Sequence, residues 1–559
     1  MHTRFTLFLH SLRQATGGAV SSSRLLVSTA IFISLLGNFS FFGHAFDYYP
    51  PGDGNRLFLF SLLIFETAVT TFLLGLVCFR HTIKPVLIVI LIASAPAAYF
   101  MDTYNNVFDH TMIQNMVNTD PGEMTDLLSL KQLVYLFLLG ILPAALIYKL
   151  KIEHGTLKAE LLERGKLLLV TMMILVVVPL LFSKYYASFF REHRAISFYA
   201  NPVYYIYSTG KYLNSSSGQT QKTLTVVGDD AKISPEDHDR ELIIMVLGET
   251  ARADRFSLNG YHRETNPLLK KEDIINFSNV YACGTSTAIS VPCMFSFFHG
   301  TEYSNEKAAS TENLLDILKR AGVHILWRDN NSDSKGVALR VPYEDFRTPE
   351  VNPICDIECR DEGMLANLQA WINKHPTGDI FIVLHQFGNH GPAYYKRYPK
   401  SYERFTPVCT TNELKDCSSE QINNAYDNAI LYTDYFLAQV IKLLKANSKT
   451  FETAMFYISD HGESLGENGL YLHGFPYLIA PNTQLHVPAI LWLGEGMTED
   501  IDKEGIKRRA GEHFSHDNVF HTVLGFMEIQ TRVYDPKQDI LLNMHAEHGE
   551  KHRGGKYNK

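Results

Sequence analysis

The chain has 559 residues and a formal charge of −8, longer than one ordinary domain. Its mildly acidic balance, with no Lys/Arg stripe interleaved with aromatics, excludes a nucleic-acid surface. Apolar residues are concentrated at the front, so two regions of different solvent preference are expected.

Residues 1–24 carry Arg4, Arg13 and Arg24 and no acid. An apolar stretch then runs from Leu25 to Phe46, too long for a signal-peptide core and without a clean small-residue cleavage site. Further stretches at Leu57 to Phe79, Pro85 to Met101, Leu133 to Tyr148 and Leu167 to Phe182 suit a bilayer core needing about 20 apolar residues. Five spans are expected, with Pro96, Pro143 and Pro179 tolerated inside them. Arg80 and Lys84, and Lys149, Lys151, Lys158, Arg164 and Lys166, fall in loops that the positive-inside rule makes cytoplasmic. Everything after Lys184 is then outside the inner membrane.

The outer loop holds Asn115, Thr119 and Glu123 four residues apart, one face of a helix. On spacing alone a solvated polar face explains them. Residues 184–240 suggest amphipathic surface helices and a polar linker joining a membrane domain (1–183) to a soluble domain (241–559). In the soluble part, apolar runs at 242–247, 323–327, 380–385, 454–459 and 487–493 alternate with helix-like segments at 311–320, 361–374, 420–445 and 515–528. That alternation predicts an α/β domain, a mostly parallel sheet with helices on both faces. The tail after Ala546 is polar.

Of seven cysteines, Cys78 lies alone in an apolar run. The other six fall as near neighbours: Cys283 and Cys293, Cys355 and Cys359, Cys409 and Cys417. Short loops cost least entropy to close, so three neighbour disulfides are expected, and with them an oxidising compartment. This agrees with the topology in placing the soluble domain in the periplasm of a bacterial inner membrane.

Cys283-Gly-Thr-Ser-Thr-Ala-Ile-Ser-Val-Pro-Cys293 frames four hydroxyls: Thr285, Ser286, Thr287 and Ser290. A hydroxyl needs a base or metal to become a nucleophile. Glu249, Asp460 and His461 stand where apolar strands end, where open α/β sheets collect ligands, and with one of the hydroxyls they would suit zinc. His390 and His473 stand in glycine-bearing loops, where an imidazole can hold a second metal, position a phosphate or protonate a leaving alcohol. Asn331 and Lys335 offer donors for phosphate oxygens. His385, nearest its strand, reads as structural. Taken singly, each has an ordinary structural explanation.

Gly248-Glu-Thr-Ala-Arg252, Cys283-Gly-Thr-Ser-Thr287, Asn389-His-Gly-Pro392, Ser459-Asp-His-Gly-Glu463 and Gly466-Glu-Asn-Gly469 with His473 together resemble the lipid A phosphoethanolamine transferases, including the mobile colistin-resistance enzymes. The resemblance covers nearly the whole chain. It implies an alkaline-phosphatase/sulfatase-like periplasmic domain and selects Thr287 among the four hydroxyls as nucleophile. It also implies zinc held by Glu249, Thr287, Asp460 and His461, with Lys335, His390 and His473 near the substrate phosphate; a second zinc on His390 or His473 is an expectation from imidazole chemistry. Asn115, Thr119 and Glu123 become contacts of the ethanolamine headgroup. The implied partners are phosphatidylethanolamine as donor and lipid A as acceptor, with a monomeric enzyme. The competing readings are phosphoethanolamine or glycerol phosphate transfer to another envelope glycan, a membrane-anchored phosphodiester hydrolase with water as acceptor, and a membrane-anchored lipid-binding or sensor protein with a degenerate site. Intact Glu249, Thr287, Asp460 and His461 argue against the last, and the sulfatase run Cys-x-Pro-x-Arg is missing.

Overall fold

A computed structural model describes residues 19–541 apart from 53, 119–123, 125–126, 192, 218–223 and 235–238. The chain forms two compact units, residues 1–113 with 128–214 and residues 114–127 with 215–559. Thr119, Glu123 and the polar tail after Ala546 lie outside the described residues.

The first unit is helical. Its helices are α1 (Ser22–Leu36), α2 (Phe39–Tyr48), α3 (Arg56–Val77), α4 (Ile83–Tyr104), α5 (Leu130–Lys149) and α6 (Leu157–Leu181). Among the described residues, four are long and apolar enough to cross a membrane, and α1 with α2, bent by 59°, makes a fifth span if counted as one broken helix. The break at Gly37 and Asn38 frees backbone groups that a bilayer cannot satisfy. Asn201 satisfies them: its side-chain amide donates to Gly37 O (2.9 Å) and Ser94 O (3.0 Å), and its N–H donates to Asn38 Oδ1 (2.8 Å). In α5 the turns widen to a π-helix over Leu136–Ile141, just before Pro143, the kind of local adjustment a proline permits in a span. Of the 25 residues of α6 only Thr171 is buried, which leaves an apolar helix suited to face lipid.

Residues 184–214 differ from the expected bridge. The helices α7 (Ser183–Arg191) and α8 (Val203–Ser217) belong largely to the helical unit. The reason is aromatic burial: Tyr186, Phe189, Ile196, Tyr199 and Tyr205 share a core with Phe41, Phe58, Leu62 and Met101. The expected linker is also partly structured, since Lys232–Ile233 pairs with Ile529–Gln530.

The second unit is built on eight strands: β1 (Glu241–Gly248), β2 (Ile274–Tyr281), β3 (His324–Asp329), β4 (Tyr343–Asp345), β5 (Ile380–His385), β6 (Glu452–Ser459), β7 (His486–Leu493) and β8 (Phe514–Ser515). They lie in the order β8-β2-β7-β6-β1-β5-β3-β4. Only β7 runs against its neighbours β2 and β6. The continuous apolar run of β1 is the signature of a central parallel strand covered on both faces, and all eight of its residues are buried. Helices α9 (Thr287–Met294), α10 (Leu314–Ala321) and α12 (Asp517–Phe526) pack with the core on one face. The long α11 (Ser419–Asn447), started by a Ser418/Gln421 capping box, packs on β6 and β1. The segment expected as one helix over 361–374 is a 3-10 turn, Asp361–Leu365, and a short helix, Leu368–Asn373. Asn367, at φ +57°, separates them.

Candidate active site

The parallel strands deliver their carboxyl ends to one edge of the sheet. Glu249 follows β1, Asp460 and His461 follow β6, Asn331 follows β3, and His390 follows β5. Thr287 enters from the first turn of α9. Glu249, Asp460 and His461 bring ligand atoms within 4.8 Å of one another, all of them buried. Thr287 Oγ1 donates to Glu249 Oε2 at 3.1 Å and lies 3.5 Å from His461 Nε2.

The hydroxyls that spacing left equivalent separate here. Thr285 donates to Phe475 O at 2.7 Å. Ser286 and Ser290 have buried hydroxyls with no hydrogen-bond partner among the described residues. Thr287 is the one in contact with the carboxylate cluster. The three disulfides join the expected neighbours, Cys283–Cys293, Cys355–Cys359 and Cys409–Cys417, and Cys78 is a buried free thiol.

The cluster fits a cation. His461 Nδ1 donates to Gly462 O (2.9 Å), so Nε2 presents its lone pair 3.5 Å from Glu249 Oε1 and 3.4 Å from Asp460 Oδ2. Burial, together with the neighbouring His473, lowers its pKa to about 3 and keeps the ring neutral. Asp460 Oδ2 is buried without a hydrogen-bond donor. Burial and the charge of Glu249 push the Asp460 carboxyl well above its usual range. Asn331 and Thr250 also donate to Glu249, and the Thr250 and His461 N–H groups donate to Asp460 Oδ1, but Asp460 Oδ2 faces the Glu249 carboxylate and the imidazole lone pair with no donor, a repulsion that a divalent metal would resolve. The two oxygens and one nitrogen, with Thr287 as a fourth oxygen, suit zinc.

Backbone geometry around the cluster is constrained. Thr250, a β-branched residue, is held at φ +56°, a strained conformation that persists only when its surroundings enforce it. Its N–H donates to Asp460 Oδ1 (3.1 Å), its hydroxyl donates to Glu249, and its carbonyl accepts from Tyr426 on α11 (2.6 Å).

Similarity to known proteins follows the two units. A family model described as phosphoethanolamine transferase EptA/EptB matches residues 67–217, and the sulfatase model matches residues 241–529. Phosphatidylethanolamine transferase Mcr-1 of Escherichia coli is 42% identical over 525 residues, 91% of this chain and 96% of that protein. The chain belongs to the EptA/Mcr family of phosphoethanolamine transferases. Mcr-2 of Escherichia coli is 45% identical over 90% of this chain and 95% of its own length. The solved integral membrane EptA of Neisseria meningitidis superposes with a TM-score of 0.90 at 35% identity, over 94% of this chain and 99% of that one. Like those EptA/Mcr transferases, the chain is an inner-membrane protein with its α/β unit in the periplasm.

The other residues expected at the site have the following surroundings. His473 lies with its ring 4.4 Å from that of His461 and 5.2 Å from that of His390. Its Nδ1 donates to Glu463 Oε2 at 3.3 Å. Asn331 turns its amide inward, to Glu249 Oε2 (2.8 Å) and Gln386 O (2.9 Å). Lys335, on the same loop, has its largely buried ammonium 3.5 Å from Asp333 Oδ1. His385 is fully buried and pairs with Asp329 at 2.9 Å. Asn115 is half-buried on the helix His110–Asn118.

Two residues tie the candidate site together without having been singled out from the sequence. His516 joins its two halves, accepting from Cys283 N–H (3.3 Å) and donating to Ser459 O (2.9 Å). No motif marks it. Arg252 was quoted only within a motif; it pairs with Glu467 at 2.6 Å and donates to Glu463 O at 3.1 Å, tying two of the quoted motifs together. The co-occurrence of those motifs was the available signal.

Proposed function

We propose that this transferase moves phosphoethanolamine from phosphatidylethanolamine to a phosphate of lipid A through a phosphoethanolamine-threonine intermediate on Thr287. The observation that carries the reading is the contact of the Thr287 hydroxyl with Glu249 inside the buried cluster with Asp460 and His461. Relatives named for this transfer, Mcr-1, Mcr-2 and EptA, match over most of the chain and support the donor and acceptor.

Zinc bound by Glu249, Thr287, Asp460 and His461 would lower the hydroxyl pKa and offset charge on phosphoryl oxygens. In the first step the Thr287 Oγ–P bond forms as the bond from phosphorus to the diacylglycerol oxygen breaks. In the second, a lipid A phosphate oxygen bonds the phosphorus as the Thr287 Oγ–P bond breaks, and the acceptor's proton passes to Thr287. Glu249 orients the hydroxyl. His473, held by Glu463, and its neighbour His390 serve to protonate the departing alkoxide and to hold the acceptor or a second zinc. Lys335 adds a point charge to the phosphate site.

Asn115, Thr119 and Glu123 are the proposed contacts of the donor headgroup. Glu123→Ala should raise KM for phosphatidylethanolamine and leave zinc content unchanged. Masking a lipid A phosphate with an ethanolammonium removes negative charge and so weakens binding of cationic peptides such as polymyxin. Mass spectrometry of lipid A from cells with and without the protein tests the whole reading: one added phosphoethanolamine supports it, and unmodified lipid A with modification elsewhere in the envelope replaces the acceptor.

A further inference from the structure

Asp361 lies outside every motif quoted above, is buried, and sits at the start of a 3-10 turn directly after the Cys355–Cys359 disulfide. Its carboxylate accepts four hydrogen bonds. Oδ1 takes the side-chain amide of Asn330 (2.8 Å) and the N–H of Phe387 (2.8 Å). Oδ2 takes the N–H of Gly388 (3.1 Å) and the side-chain amide of Gln386 (3.2 Å). The donors come from two loops, the one after β3 and the one after β5. One acid group therefore fastens both.

Each of these loops runs onto Glu249. The β5 loop lies along its backbone: Asn389 N–H donates to Glu249 O at 3.1 Å, and Gly388, at φ +52°, passes so close that a Cβ there would meet Glu249 O at 2.8 Å. His390 follows two residues on. In the β3 loop Asn331, next to Asn330, reaches Glu249 Oε2 and Gln386 O. Asp361 itself is fixed from behind. Asn352 donates to Arg360 O (2.9 Å), Arg360 N–H bonds Ile354 O (2.8 Å), and Asn330 reaches Cys359 O (3.0 Å). Gly363 must be glycine, since a Cβ there would lie 1.7 Å from Asn352 Oδ1.

We propose that Asp361 is a positioning residue for phosphoethanolamine transfer: it holds the Asn330–Asn331 and Gln386–His390 loops against Glu249 and so sets the geometry in which Glu249 and His390 meet metal and substrate. This rests on the reading of Glu249 as a metal ligand. Outer-shell partners of metal ligands change metal affinity or activity by about 10- to 100-fold when removed, and Asp361 acts on the ligand through both of its neighbouring loops.

The test uses the full-length protein in detergent. Asp361→Asn keeps the shape but turns an NH2 toward two N–H donors, so two of the four bonds are lost and the donors repel. Expected are a zinc Kd, from competition with a chromogenic chelator, raised about 10-fold or more, and kcat lowered about 10- to 100-fold with KM for phosphatidylethanolamine little changed. Hydrogen exchange over residues 386–390 should be faster in the zinc-free protein as well. Should Asp361→Asn not fold, Asn330→Ala removes one donor and is expected to change the same quantities in the same direction by less. A lowered unfolding temperature with wild-type zinc affinity and kcat, while Glu249→Gln loses zinc, would show a merely structural role and overturn the proposal alone. Wild-type zinc affinity in Glu249→Gln would overturn the metal reading of Glu249 and the positioning role with it.

Discussion

Asn331 donates its side-chain amide to Glu249 Oε2 at 2.8 Å, the same oxygen that accepts the Thr287 hydroxyl at 3.1 Å. A residue expected to hold substrate phosphate is thus aimed at a proposed metal ligand. Asn331→Ala should weaken zinc binding about 10- to 100-fold, as loss of a ligand's orienting partner does. Asn331→Asp should do worse, because it sets a third carboxylate beside Glu249 and Asp460. If zinc affinity stays at the wild-type level and only KM for the donor rises, Asn331 serves the phosphate and not the ligand.

The Thr287 hydroxyl supplies the second prediction. Thr287→Ala should stop transfer while the protein folds and keeps weakened zinc binding, since Glu249, Asp460 and His461 remain. Thr287→Ser retains a hydroxyl at the start of α9 and should leave measurable activity. Incubation with a phosphatidylethanolamine analogue followed by peptide mapping should find one phosphoethanolamine on the peptide containing Thr287. An adduct on Thr285 or Ser290 would reassign the nucleophile.

What could be read in the sequence follows from how local the physics is. The β1 run announces itself because every residue of a central parallel strand is apolar, and Glu249 stands immediately after it. By contrast β2, Ile274-Ile-Asn-Phe-Ser-Asn-Val-Tyr281, has Asn276, Ser278 and Asn279 among its apolar positions and was not legible as a strand. The cluster residues Glu249, Asp460 and His461 were visible as strand ends. Asp361 and His516 were not: their roles consist of hydrogen bonds to backbone far away in sequence, such as His516 to Ser459 O, which no spacing encodes. The fate of residues 184–214 turned on which aromatics found a core, again a tertiary matter.

The helical unit carries a buried acid on α3. Glu66 accepts from Ser34 on α1 and from Thr70 Oγ1 (3.2 Å). Interhelical hydrogen bonds in membranes contribute on average about 0.6 kcal/mol, and at most about 2 kcal/mol. Glu66→Ala should therefore lower the unfolding temperature of the helical unit in detergent modestly, whereas Glu66→Gln, which keeps an acceptor for Ser34 or Thr70, should restore most of the difference. Equal loss in both variants would mean that the charge, not the hydrogen bonding, matters there.

His516 makes the last prediction one of pH. Its ring is buried between the Cys283–Cys293 turn and the end of β6, with Nε2–H on Ser459 O and Nδ1 accepting from Cys283 N–H. Burial lowers its pKa from 6.5 to about 4. The unfolded chain therefore binds a proton below about pH 6.5 that the folded protein refuses until about pH 4. Its contribution to stability is fully present above pH 6.5 and is lost as pH falls through that window, by about 1.4 kcal/mol per pH unit at most, or about 2 kcal/mol between pH 7 and 5. His516→Gln can donate and accept but does not titrate, so the stability gap between wild type and variant should shrink by that amount on acidification. Other buried groups titrate equally in both proteins and cancel in the difference. All three tryptophans, Trp327, Trp371 and Trp492, lie in the α/β unit, so fluorescence-monitored urea unfolding at pH 7, 6 and 5 reports on the correct region. Parallel wild-type and variant curves across that range would remove His516 as a pH-dependent tie between Thr287's turn and the end of β6.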